Sequence, residues 1–75
     1  MPSIPIVKAV KLIKVLEKSG FVFRRSAGSH HIFYHPEKKI VVSVPVHRGR
    51  DMGKGITLGI LKDAKISIEG FLKLL

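Results

Sequence analysis

Cysteine and tryptophan are both missing from this 75-residue sequence. The absence of thiols excludes disulfides, zinc ribbons, iron–sulfur clusters and thiol catalysis together, and suits a reducing interior. Acids are scarce, five Asp and Glu against fourteen Lys and Arg. No apolar run approaches the ~20 residues that span a bilayer. Lys8, Lys11 and Lys14 interrupt the apolar residues near the start, so no signal peptide is visible. A cytoplasmic protein without a membrane role is expected. No repeat, linker or low-complexity segment divides the chain, so residues 1–75 are expected to form one domain.

What is present is positive charge on a chain able to pack. Hydrophobic residues make up 45%, enough for a core, and the formal net charge is +9. An excess of that density in so short a chain favours polyanionic partners, nucleic acid before membrane surface. Room is left for one surface site, and a small-molecule pocket is not expected. Two non-enzymatic readings stand beside catalysis. One is an RNA-binding module with the same basic surface, and the other is a membrane-surface peptide built on the basic first helix, against which three strands of apolar residues argue.

Periodicity predicts the elements. Ile6, Ala9, Val10, Ile13 and Leu16 recur at helical spacing, with Pro5 suited to a first turn and Gly20 to a stop, so a first helix is expected over Ile6–Ser19. Three strands follow at Phe21–Ser26, His30–His35 and Ile40–Val46, separated by the short turns at Gly28–Ser29 and Pro36–Lys38. Gaps this short make the three an antiparallel meander. His47–Gly55 reads as a loop. A second helix over Ile56–Ala64 presents Ile60, Leu61 and Ala64, and Ser67 suits the N-cap of a short last helix, Ile68–Leu75. The fold class is α+β, αβββα, with a three-stranded antiparallel sheet covered by helices on one face and a short C-terminal helix. The other sheet face is left open for a ligand.

The chemistry-bearing residues are four histidines within eighteen positions: His30, His31, His35 and His47. Only Glu37 falls among them, so a carboxylate pair for acid–base work is absent, and Ser29 before His30 lacks the orienting acid of a triad. In a strand His31 and His35 would stand about 13 Å apart along one face, too far to share an ion, so no metal or other cofactor is expected. RNA supplies its own nucleophile, the 2′-hydroxyl, and imidazole is matched to removing that proton near neutral pH. Alternation puts His30, Ile32 and Tyr34 on one face and His31, Phe33 and His35 on the other. If Phe33 faces the helices, His30 and Tyr34 lie open, Tyr34 able to stack on a base and Arg24 or Arg25 near both. Alternation by itself leaves either orientation open, since each set holds one clear apolar residue. Arg24, Arg25, Ser29, Tyr34, Lys38, Lys39, Arg48 and Arg50 are the candidate RNA contacts.

The ordered set of motifs resembles the HicA (YcfA-like) toxin family. It comprises Gly20-Phe21, Arg24-Arg25, Gly28-Ser29-His30-His31-Ile32-Phe33, Val44-Pro45-Val46-His47, Gly55, Ile60-Leu61-Lys62, Ile66-Ser67 and Phe71-Leu72. The resemblance implies a fold like that of double-stranded-RNA-binding domains and a metal-independent endoribonuclease, an mRNA interferase that arrests translation. It also implies a HicB-like antitoxin partner. The family's catalytic histidine follows Gly-Ser and so maps onto His30, and Phe33 becomes the inward residue. The sequence departs from the family at Lys65, where Gly commonly caps a helix, and at Gly70, where Glu often completes a capping box with Ser67.

Overall fold

The computed structural model describes residues 4–47 and 49–75. Its elements run α1 (Ala9–Lys18), β1 (Val22–Ala27), β2 (His30–His35), β3 (Ile40–Pro45), α2 (Lys54–Ala64) and α3 (Ile68–Leu74). This is the expected αβββα order with a short C-terminal helix. The strands form one antiparallel sheet in the order β1-β2-β3, so β2 is central. A two-residue turn joins β1 to β2, with Gly28 at φ +62° in its first position. Hairpin turns of this length need a positive φ there, which glycine adopts without strain.

The first helix begins later than its periodicity predicts. Ile6–Lys8 is extended, because the Val7 carbonyl accepts the Met52 N–H at 2.8 Å and Lys8 bridges to Asp51 in the loop before α2. Ile4, Val7 and Met52 are buried by this pairing, while Ile6 is exposed. The buried stripe of α1 is correspondingly rotated to Ala9, Leu12, Val15 and Leu16, leaving Val10 outside. Both stripes have helical spacing, and the long-range pairing decides between them.

Phe33, Val42 and Val44 of the sheet pack with Leu12, Val15 and Leu16 of α1, Ile60, Leu61 and Ala64 of α2, and Phe71 of α3. Burying a side chain of this size stabilises by about 1.5–3 kcal/mol each, an upper figure given residual burial in the unfolded chain. Every residue of β1 is exposed, so the helical layer covers β2 and β3 and stops short of β1. Phe23 illustrates the margin: it turns to the helix side and meets Phe33 edge-on, yet stays 52% exposed. Lys65 closes α2 at φ 61°, ψ 37°, the left-handed cap its position implied, and Ser67 caps α3 by accepting the Gly70 N–H at 3.0 Å.

Candidate nucleic-acid interface

Register assigns each strand residue to a face. His30 pairs with Ala27 and Pro45, Ile32 with Arg25 and Ser43, and Tyr34 with Val22 and Val41. Directly opposed residues share a face, so these positions make up the side of the sheet away from the helices. Phe33 is buried, and His31 and His35 lie on its side. Of the three β2 histidines, only His30 is on the open face, and it is exposed.

His35 is a structural residue. Its Nδ1 accepts the Lys38 N–H at 3.1 Å, which leaves the ring proton on Nε2, 3.1 Å from the Ser19 carbonyl that accepts it. The ring is 7% exposed and stands edge-on to Phe21 at 5.1 Å. It thus ties the β2–β3 turn to the end of α1. His31 is half-buried on the helix side, edge-on to Phe23 at 5.7 Å.

A bulge shapes the basic part of the open face. Phe23 pairs with Phe33 and Arg25 with Ile32, so Arg24 is an extra residue in β1. Bulges re-aim side chains and bend the strand. Here the guanidinium of Arg24 lies over the Tyr34 ring, 5.1 Å from its centroid, within cation–π range. Both arginines therefore stand on the open face, side by side, where strict alternation would have sent one to each side. Among the described residues the one ion pair is Lys8 with Asp51, so neither arginine is neutralised by a carboxylate.

The other candidate contacts divide by position. Ser29 is exposed in the turn before His30, and its carbonyl accepts the Val46 N–H at 2.7 Å. Lys38 and Lys39 sit in the β2–β3 turn, at the end of β2 away from His30. Arg50 lies beyond the other end of β3, and Arg48 lies outside the described residues. Arg50 and His47 line a shallow cavity of ≈ 200 Å³ with Pro45, Asp51, Met52 and Ile56. Pro45 is also the β3 partner of His30, so this cavity adjoins the His30 end of the sheet. His47, the fourth of the sequence histidines, lies two residues beyond Pro45 and lines this cavity, not the open sheet face. Among the described residues no three histidine or carboxylate side chains gather as metal ligands would, and no helix is long and apolar enough to cross a membrane.

The family model for the HicA toxin of bacterial toxin–antitoxin systems matches residues 9–66. The chain belongs to the HicA toxin family. The matched span starts at the first residue of α1 and ends just past α2, taking in the whole sheet and leaving α3 outside. No curated protein sequence matches the chain.

Proposed function

We propose that this HicA-family protein is an endoribonuclease that cleaves mRNA and so arrests translation, with His30 as general base. His30 takes the proton of a ribose 2′-hydroxyl. The freed oxygen attacks the adjacent phosphorus, the bond from phosphorus to the 5′ oxygen breaks, and the departing oxygen picks up a proton. The products are a 2′,3′-cyclic phosphate and a 5′-hydroxyl end. Arg24 and Arg25 hold the strand and offset the charge that builds on the phosphate. Ser29, Lys38, Lys39, Arg48 and Arg50 extend the contact with the RNA backbone, and Tyr34 meets a base. An acidic HicB-like antitoxin holds the enzyme silent by covering the same face.

The observation that carries this reading is the separation of the histidines. His35 spends both ring nitrogens on the backbone and His31 turns to the helix side, while His30 stands exposed on the face that holds Arg24, Arg25 and Tyr34. The mechanism requires no metal. Incubation of the protein with RNA in EDTA, beside His30→Ala, is the direct test. Cleavage in EDTA that leaves cyclic phosphate ends and vanishes in the variant is expected. Cleavage that EDTA abolishes, or that persists in His30→Ala, rejects the mechanism. RNA that is bound and never cut moves the assignment to a non-catalytic RNA-binding module.

A further inference from the structure

The open face carries an apolar strip as well as charge. Val22, Tyr34 and Val41 stand in register across all three strands. Val22 is 50% exposed and Val41 53%, with no helix over them, and the Tyr34 ring lies between them, half-buried. Arg24, the extra residue at the bulge, lays its guanidinium over the Tyr34 ring. Two exposed valines, a half-buried aromatic ring and the planar cation over it make a surface that suits the π-face of a nucleobase. Stacking on such a platform is how sheet surfaces hold single-stranded RNA, and arginine adds a cation–π contribution. The adjacent unpaired Arg25 supplies the complementary charge for its phosphate.

The strip is not where the chemistry is. Tyr34 follows His30 by four residues on one face, about 13 Å along the strand. At a rise of about 3.4 Å per stacked nucleotide this is a span of about four nucleotides, and fewer in a stretched strand. We infer that Tyr34 and Arg24 form a base-stacking subsite several nucleotides from the scissile bond, which sets the length and register of single-stranded RNA the enzyme prefers. The inference rests on His30 being the cleaving residue. It adds that substrate choice is made at a second place on the face, by occupancy of a stacking platform.

The test compares two substrates within each protein: a dinucleotide, which reaches His30 alone, and a hexanucleotide, which spans both places. Measuring both on one preparation cancels any loss of folded protein. Base stacking on an aromatic is worth about ten-fold or more in affinity, so the preference in kcat/KM for the hexanucleotide should fall about ten-fold in Tyr34→Leu. Tyr34→Phe, which keeps the ring, should retain it. A preference unchanged in Tyr34→Leu overturns the inference. The unaltered protein offers a second arm through hexanucleotides with one abasic position each. One position away from the cut should raise KM about ten-fold, and uniform KM at all positions overturns the subsite. A non-cleavable strand, with a 2′-deoxyribose at the cut, separates the two claims. If His30→Ala still cleaves but abasic substitution weakens binding of this strand, the base assignment fails and the platform stands. Tyr34→Leu that weakens a protein partner yet leaves RNA binding intact makes the strip a protein contact and overturns the platform.

Discussion

Gly20 and His35 are in contact across the end of α1: a Cβ built on Gly20 would lie 2.8 Å from His35 Nε2. Gly20 also has φ +103°, where a side chain is strained whatever the space. Sequence alone suggests a plain helix stop at this glycine. The structure gives it a second duty, to leave room for the imidazole that bonds Ser19 and the β2–β3 turn. Gly20→Ala should therefore destabilise by about 2–4 kcal/mol, from backbone strain and overpacking together. In a chain this small that can be most of the stability. Urea unfolding should show the midpoint falling, and a loss below about 1 kcal/mol would mean that the turn relaxes freely. His35→Ala should cost about 2–3 kcal/mol by leaving the Ser19 carbonyl and Lys38 N–H without their partner. The double variant should lose less than the sum, because the clash has gone.

Lys65 supplies a prediction of opposite sign. A lysine at φ 61° pays about 1 kcal/mol that glycine does not. Lys65→Gly keeps the cap bonds from the backbone to Leu61 and Lys62 and should stabilise by up to about 1 kcal/mol, less the extra chain entropy of glycine when unfolded. A thermal midpoint that rises by a few degrees is expected for this size of domain. A fall would mean that the Lys65 side chain makes a contribution larger than its backbone strain.

RNA binding should depend steeply on salt. Counterion release gives a log–log slope of about −0.7 per phosphate neutralised on a single strand, so five contacts predict about −3.5. Arg24→Gln and Arg25→Gln should each reduce the slope by about 0.7, since both stand unpaired on the open face. Titration of labelled single-stranded RNA across a salt series measures this directly. A slope near zero in the unaltered protein would remove the electrostatic account.

Most of the fold is legible in the sequence because its signals are local. The turns at Gly28–Ser29 and Pro36–Lys39 delimit β2, which runs over the expected His30–His35, and β1 and β3 end within a residue of expectation. The start of α1 is not legible, since the Val7–Met52 hydrogen bond that holds Ile6–Lys8 extended joins residues forty-five apart. Alternation sorts the β2 histidines into two sets but cannot tell which set is inside; burial of Phe33 against the helices decides it. The bulge at Arg24 has no sequence signal at all, as it adds one residue to β1 without glycine or proline. Its consequence is that Arg25, which alternation from Val22 would turn inward, opposes Ile32 on the open face beside Arg24.

The last prediction concerns the antitoxin. An enzyme that cleaved mRNA would harm its own cell when free, and among the described residues His30 is exposed with no helix on its side of the sheet. A partner that covers His30 must lie on the open sheet face, and Arg24 and Arg25 there favour an acidic surface. Charges at the rim of such an interface chiefly speed association, while a desolvated centre governs dissociation. His30 and Tyr34 are the expected centre, with the exposed Val22 and Val41 beside it. Arg25→Glu should therefore slow association with the partner, and the effect should shrink as salt is added. Tyr34→Ala should chiefly speed dissociation, by about ten-fold or more for a central aromatic. Cultures expressing the protein alone should stop growing, and co-expression with a HicB-like partner should restore growth. Equal growth in both, with the protein folded and present, would count against the toxin activity and leave RNA binding as the function of this face.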